Sequence, residues 1–307
     1  MNKLLNLMCL VKIKSLFKKE VMMNIVFVIL HYMAIKDTME CVESIRKHID
    51  IKDYKIVIVD NASPNNTGKQ LIEEYKMQPD IVVLCNEENL GFAKGNNVGY
   101  IYAKRKLHAK YIVLLNNDVC MIQGDLYKKI EKSFEIDKFA VMGPTIITKD
   151  GLATSNPRMA EKITEQQISK LIKRHKILYK LTFLNLQSII ILFRKVKSLL
   201  IKKSPNCFCY MKVSNIILHG SFLIFSPIYI NKFDGLEPRT FMYFEEDILY
   251  LRLLKSNMVS LYNPEIMVYH KEDAATDSVI SGKREKQLFV LKNTIDSLEV
   301  YKKCLKE

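Results

Sequence analysis

The run "YIVLLNNDVCM" (residues 111–121) begins as a buried strand in Tyr, Ile, Val and Leu and stops on two amides and a carboxylate, Asn116, Asn117 and Asp118. Asn and Asp are ordinary turn formers, so this stop alone says little. A second cluster lies in "FMYFEEDILYLRLLKSN" (241–257), where Glu245, Glu246 and Asp247 fall in the first turn of an expected helix, the end at which carboxylates suit the helix dipole. Three more apolar runs end in polar residues: His31 and Tyr32 after "IVFVIL", Asp60 and Asn61 in "DNAS" after "KIVIV", and "NLGFAKGNN" (89–97) just past "IVVLC". One polar strand end means little, but four at corresponding positions make a site, because ligands of open α/β sheets sit beyond the carboxyl ends of the strands.

The elements that must hold these residues alternate regularly from Asn24. Strands are expected at 25–30, 55–60, 81–85 and 111–115, with helices near 36–48, 67–77 and 92–106 between them. Short β-rich runs separated by helices of ten or more residues require crossover connections and a largely parallel sheet covered on both faces. The fold class is therefore α/β, of the Rossmann-like kind that binds nucleotides. The second half is less regular: a strand over 139–147, a basic segment from about 160 to 203, a buried strand pattern over 215–227 interrupted by Gly220, the acidic helix, a late strand pair near 259–269 ending at His270, and a closing helix over 283–304.

The chain has 307 residues and 49% hydrophobic content, enough for a sizeable core in one large domain or two fused halves. Its net charge of +14 is local. Residues 151–219 hold 13 Lys/Arg against two Glu, and residues 1–24 hold five Lys against one Glu, so the rest of the chain is close to neutral. Such placement points to a partner with negative charge at two surfaces rather than to a basic catalytic body. Seven cysteines, with no Cys-x-x-Cys pair, read as structural thiols in a reducing compartment; Cys207 and Cys209 lack the further ligands a zinc site needs, His219 being the one nearby candidate. Residues 1–24 form a basic extension whose apolar patch is interrupted by Lys12 and Lys14 and is followed by no small-residue cleavage site, so secretion is not expected, and Met22 or Met23 offers an alternative start. No uninterrupted apolar stretch reaches the length of a membrane span.

Taken together, "VDNAS" (59–63), "NLGFAKGNN" (89–97), "LLNNDV" (114–119), "GSFLIFSP" (220–227), "FMYFEEDILYLRL" (241–253) and "VYH" (268–270) resemble, in order and spacing, the family 2 glycosyltransferases, in particular the rhamnosyltransferase-like branch with the GT-A fold. The resemblance covers about 25–303. It implies a GT-A type mixed sheet flanked by helices, over 25–307, with a nucleotide-sugar-binding half (25–120) and an acceptor and catalytic half (121–307) that carries the basic helical insert.

The resemblance also assigns roles. Asp60 would hydrogen-bond the base of a nucleotide-diphosphate sugar, and Asn89 and Gly91 would let backbone approach the nucleotide, with His31, Tyr32, Asn61 and Asn96 around them. "NND" resembles the DXD motif with Asn116 in place of its first Asp, Asn117 between, and Asp118 as the retained metal carboxylate; His270 matches the family's late His. One Asp can suffice for Mg2+ or Mn2+ when substrate phosphates supply other ligands. Related sequences read Glu-Asp with an Arg six residues after the Asp; counting back from Arg252 gives Glu246 as the general base, with Glu245 and Asp247 as its alternatives. Gly220, Ser221 and Arg252 fall on the acceptor side. A single base acting in a single displacement inverts the anomeric configuration.

The acceptor implied is a sugar on a growing cell-surface polysaccharide of O-antigen or capsule type, carried on a lipid, which places the enzyme in the cytoplasm, peripheral at the inner face of the membrane. The segment "KILYKLTFLNLQSIIILFRKVKSLLIKK" (176–203) sets thirteen mostly apolar positions (181–193) between basic clusters, too short to span but suited to lying on an anionic bilayer; packing on the body or an oligomer contact is its alternative use. Two rival activities fit less well. A sugar-nucleotide nucleotidyltransferase needs a Gly-rich phosphate loop after the first strand, and "ILHYMAIKD" has no glycine. A nucleic-acid binder needs aromatics interleaved with the basic residues, which these segments lack, so no nucleic-acid partner is expected.

Overall fold

The computed structural model describes residues 22–149, 151, 156–159, 163–186, 210–272 and 282–307. Residues 1–21 of the N-terminal extension and residues 187–209, which include most of the basic stretch quoted above, lie outside the described residues.

Four parallel strands form one side of the sheet: β1 (Ile25–His31), β2 (Tyr54–Asp60), β3 (Ile81–Cys85) and β4 (Tyr111–Asn116). They are linked by α1 (Ile35–His48), α2 (Thr67–Tyr75) and α3 (Gly91–Arg105), so the expected crossovers are present. Continuous runs of Ile and Val make these strands buried on both faces. Ile25, Phe27 and Ile29 turn to one side, against Cys41, Val42 and Ile45 of α1 and Leu71 of α2. Val26 and Val28 turn to the other, against Ala93, Tyr100 and Ala103 of α3. Gly99 lets α3 sit this close, since a Cβ there would lie 2.3 Å from Val28 Cγ1.

Beyond β4 come β5 (Val119–Met121), α4 (Leu126–Asp137), β6 (Val141–Ile147), α5 (Glu165–Phe183), β7 (Val213–Ser214), β8 (Phe222–Phe225), α6 (Pro227–Ile230), α7 (Glu245–Lys255), β9 (Ser260–His270) and α8 (Lys283–Lys306). The sheet runs β3-β2-β1-β4-β8-β6-β9-β5, with β7 beside β9. β8 is antiparallel to β4 and β6, whereas β6 and β9 are parallel. The sheet is thus mixed, flanked by helices on both faces.

Two expectations for this half change in detail. The buried pattern over 215–227 yields four residues of β8, because Asn215 is left-handed and the turn at Gly220 breaks the run. The strand pair near 259–269 is one strand: the partners of β6 jump from Asn263 to Met267, around Pro264, which has no N–H to give a ladder. The described part of the basic insert is α5, opened by a reciprocal Thr164–Gln167 capping box. It packs with α7 and α8 in a separate apolar cluster of Ile168, Ile172, Ile248, Leu251, Leu298 and Tyr301.

Candidate active site

Asp118 leaves β4 at the sheet's carboxyl edge, and its backbone carbonyl accepts the N–H of Lys271 at 3.1 Å. β5 then pairs with the end of β9 so that Val119 faces His270. The pairing sets His270 Nε2 3.2 Å from Asp118 Oδ1. Asp118 Oδ1 and His270 Nδ1 are nevertheless buried atoms with no hydrogen-bond partner. Asp118 Oδ1 thus meets only the His270 ring, and His270 Nδ1 meets no partner among the described residues; an unpaired buried polar atom costs of the order of 1–3 kcal/mol, so this corner has room in its bonding for a ligand. One carboxylate and one imidazole side by side suit a divalent cation that draws its other ligands from a diphosphate. Among the described residues no group of three His, Cys, Asp or Glu side chains could hold a metal ion.

The two amides beside Asp118 do different work. Asn117 is buried, donating its Nδ2 to Thr38 Oγ1 at 3.1 Å and weakly to Ala34 O, so its side chain ties the loop to α1 rather than facing a ligand. Asn116 stays partly exposed, and its backbone N–H donates to Ser221 O at 3.0 Å.

The residues expected around the nucleotide divide in the same way. His31 is fully buried and both ring nitrogens meet hydroxyls, Nδ1 that of Thr38 at 2.6 Å and Nε2 that of Thr67 at 2.9 Å. Burial lowers its pKa to about 4, with the Asp60 carboxylate pulling the other way, so it is a neutral brace rather than a ligand contact. Asn61 is also a brace: Nδ2 donates to Asn89 Oδ1 and Gly91 O, while Oδ1 accepts from Asn86 Nδ2 and the Leu90 N–H, which locks the loop after β2 to the loop after β3. Asn96 is buried in α3 and spends its amide on Phe92 O. Asp60 accepts from the Ser63 hydroxyl and N–H, and its carboxylate packs directly on Gly68, where any Cβ would come within 2.1 Å of Oδ2. Tyr32 and Asn89 remain accessible at the edge.

Gly91 joins the two halves. At φ +77° its backbone takes a left-handed turn, and a Cβ would sit 2.2 Å from Phe241 O. The neighbouring Phe92 N–H donates to that carbonyl at 2.7 Å, so the loop after β3 is fastened to the chain entering α7.

At the start of α7 the three consecutive carboxylates occupy three environments. Glu245 is buried; removal from water pushes its pKa up to about 7, with the Glu246 and Asp247 charges adding to the rise, and its Oε1 has no partner. Asp247, also buried, pairs with Arg158 Nη2 at 2.7 Å. Glu246 alone is open, its side chain 29% exposed, with Oε2 3.6 Å from Arg158 Nη2. Its Oε1 accepts the Gly220 N–H at 2.6 Å. The turn 219–221 thereby joins the two chemical clusters, since Gly220 holds Glu246 while Ser221 O holds Asn116.

Arg252 is not at the acceptor edge. Its guanidinium donates to Tyr229 OH, Gly235 O and Glu237 Oε2 and stacks 5.0 Å from the Phe233 ring centroid, so it secures the 229–237 segment to α7. Two site residues escaped sequence reasoning. Arg158 lies 89 positions before its partner Asp247, a separation with no local signal. His219, weighed in the sequence for zinc alone, sits beside His270 with ring centroids 5.9 Å apart. Burial lowers its pKa, opposed by the Glu246 charge.

The family profile described as "Glycosyl transferase family 2" matches residues 26–200. None of the curated proteins is similar enough in sequence to match. Among solved structures, S. aureus TarS 1–349 in complex with UDP aligns with a TM-score of 0.52 at 14% identity, covering 88% of this chain and 64% of that one. The same protein in complex with UDP-GlcNAc aligns at 0.52 and 14%, covering 89% and 65%. GalNAc-T7 with UDP, GalNAc and Mn2+ aligns at 0.54 and 15%, covering 82% and 44%. The chain thus spans less than two thirds of the length of these structures, and the likeness is one of fold.

Proposed function

The chain belongs to glycosyl transferase family 2, and from that premise we propose that it is an inverting glycosyltransferase moving a sugar from a nucleoside-diphosphate sugar to a sugar hydroxyl. The observation that carries this reading is the turn at 219–221, which binds Glu246 through Gly220 and the Asp118 strand end through Ser221. A base and a diphosphate site must stand at a fixed separation on either side of one anomeric carbon, and this turn makes them one rigid unit. Structural neighbours that carry UDP, UDP-GlcNAc or Mn2+ support the donor class.

Glu246 takes the proton of the acceptor hydroxyl. The Gly220 N–H on Oε1 and the Arg158 guanidinium 3.6 Å from Oε2 hold its carboxylate in place where an acceptor hydroxyl can reach it. Glu245 is sealed from an acceptor and Asp247 is neutralised by Arg158, which leaves one base and therefore inversion. Asp118 and His270 are the residues that would hold Mg2+ or Mn2+. When bound, the cation supplies positive charge opposite the departing diphosphate. The run "FMYFEEDILYLRL" favours the rhamnosyltransferase-like branch.

The acceptor side of this reading is a lipid-linked glycan of a cell-surface polysaccharide, met at the cytoplasmic face of the membrane. Among the described residues no helix is long and apolar enough to cross a bilayer. Support for a surface contact comes from α5, which exposes Lys170, Lys173, Arg174, Lys176 and Lys180 together with Ile177, Phe183 and Leu184. The acidic residue at its start, Glu165, is already paired with Lys306 at 2.9 Å. The C-terminal turn of α5 is fastened to α8 by Arg284, which donates to Thr182 O and Phe183 O.

The test is thermal unfolding against a panel of UDP-, GDP- and dTDP-sugars with Mg2+ or Mn2+. At least one donor raises the midpoint, the rise disappears with EDTA, and Asp118→Asn abolishes it while unfolding normally without ligand. Stabilisation that is equal with EDTA removes the cation from the reading; no stabilisation by any donor removes the reading.

A further inference from the structure

We propose that His219 is a donor-binding residue whose Nε2–H hydrogen-bonds the diphosphate that leaves during transfer. The proposal rests on the glycosyl-transfer reading above and adds to it a contact between the cation residues and the base.

The proton position follows from the ring's surroundings. His219 Nδ1 accepts the Ser221 backbone N–H at 3.2 Å and lies 2.9 Å from Ser221 Oγ. A backbone N–H can only donate, so Nδ1 carries a lone pair and the proton of the neutral ring sits on Nε2. Nε2 has no partner among the described residues, nor is it a buried unpaired atom. It is a donor held out with nothing to receive it.

The turn that carries the ring is held from three directions. The His219 backbone N–H donates to Asn156 Oδ1 at 3.1 Å, and Asn156 Nδ2 in turn donates to Pro144 O at 2.6 Å, pinning the turn to β6. The ring's edge packs on His270 at 5.9 Å with planes 60° apart. The next residue, Gly220, holds Glu246. His219 therefore has the candidate cation residues on one side and the base on the other.

That interval is where the bond changes. As the acceptor oxygen bonds to the anomeric carbon, the carbon–oxygen bond to the donor breaks and its electron pair stays on the diphosphate, while the acceptor's proton goes to Glu246. Negative charge grows on the leaving oxygen, and a fixed N–H aimed there is worth more in the transition state than in the ground state. His219 gives up no proton in this scheme.

Nucleotide affinity tests the contact without turnover. UDP and UMP, with GDP/GMP and dTDP/dTMP alongside, are titrated in Mg2+ into the full chain, and the base that binds is carried forward. His219→Phe weakens the diphosphate by about tenfold, the scale of one charge-assisted hydrogen bond, and leaves the monophosphate unchanged. His219→Gln, which keeps an acceptor for Ser221 and an N–H to offer, restores most of the loss. Equal weakening of mono- and diphosphate, or none of either, overturns the proposal and leaves His219 a packing residue. A wild-type chain that binds no nucleotide fails earlier and sinks the glycosyl-transfer reading itself.

Discussion

The loops after β1, β2 and β3 and the start of α7 present similar residue types, amides and carboxylates at the edges of apolar runs, and use them in opposite ways. On the donor side the polar atoms are largely consumed by one another. Asn61 bonds four groups of the loop after β3, His31 meets two threonines, and Asn117 ties the end of β4 to α1. On the catalytic side three adjacent carboxylates are separated by environment: one sealed, one paired, one open. Building a rigid frame takes complete pairing, because each unpaired buried group is expensive. Chemistry takes an unpaired or accessible group, and the molecule keeps few of them.

The sharpest way to break this contrast is to neutralise the carboxylates one at a time. Glu246→Gln keeps the shape and the Gly220 bond but cannot accept a proton, so transfer falls about 10²-fold or more while donor affinity holds. Asp247→Asn and Glu245→Gln remove the same charge from the same helix turn and retain most of the turnover. Steady-state transfer rates on the three variants decide; normal turnover in Glu246→Gln with collapse in a neighbour reverses the roles drawn from burial.

Arg252 marks the boundary between the two uses. Arg252→Met retains the stem but removes the donor shared by Tyr229 OH, Gly235 O and Glu237 Oε2, and lowers the stability to urea by about 2 kcal/mol. Donor affinity at saturating folding conditions stays unchanged. A variant of normal stability with impaired acceptor use would return Arg252 to the acceptor edge, where the sequence pattern put it.

These cases show what the sequence carries. The β1–β4 half was legible nearly to the residue, because each strand, helix and polar end follows its neighbour through a short connection and the hydrophobic period names the element. The roles of its polar residues were less legible: His31 and Asn61 stand at strand ends where a ligand would be met, and only the positions of Thr38, Thr67, Asn86 and Asn89 reveal that their bonding capacity is spent. In the other half, a spacing of six residues from Arg252 singled out Glu246 as the base, and Glu246 is the most exposed of the three carboxylates, while the Arg252 guanidinium itself is spent on Tyr229, Gly235 and Glu237. The partners that sort the triplet, Arg158 and Gly220, come from distant segments and leave no periodic trace.

Glu245 and His31 allow the contrast to be read as a function of pH. The fold raises Glu245 from 4.5 to about 7, so it favours the protonated form; that stability is full below 4.5 and is lost as pH rises to 7. The fold lowers His31 from 6.5 to about 4, so it favours the neutral form; that stability is full above 6.5 and is lost as pH falls to 4. The two slopes oppose between 4.5 and 6.5. Glu245→Gln removes one of them, so the variant gains stability as pH rises from 4 to 6.5 and exceeds the wild type at pH 8 by about 1 kcal/mol or more. Urea midpoints at pH 4.5, 6 and 8 check this, and a parallel pair of curves would place Glu245 in water.

The smallest expected effect per side chain belongs to α5, which neither braces the donor loops nor faces the base. Its exposed lysines and arginine surround Ile177 and Phe183 on a helix whose inner face is already packed on α7 and α8, so the outer face is available to an anionic bilayer. Each cation near such a surface contributes about 1 kcal/mol, and the apolar side chains add burial that salt does not screen. Lys173→Glu with Lys180→Glu therefore reduces flotation of the full chain with phosphatidylglycerol vesicles at low salt by more than tenfold, consistent with reversing two such charges. Ile177→Ser instead weakens binding modestly at every salt concentration. In both variants nucleotide affinity and Glu246-dependent transfer to a soluble acceptor stay at the wild-type level, because the third apolar cluster that seats α5 is untouched. Wild-type chain that fails to float with anionic vesicles assigns the face to another partner; flotation unaffected by the α5 charges assigns the contact to a different part of the molecule.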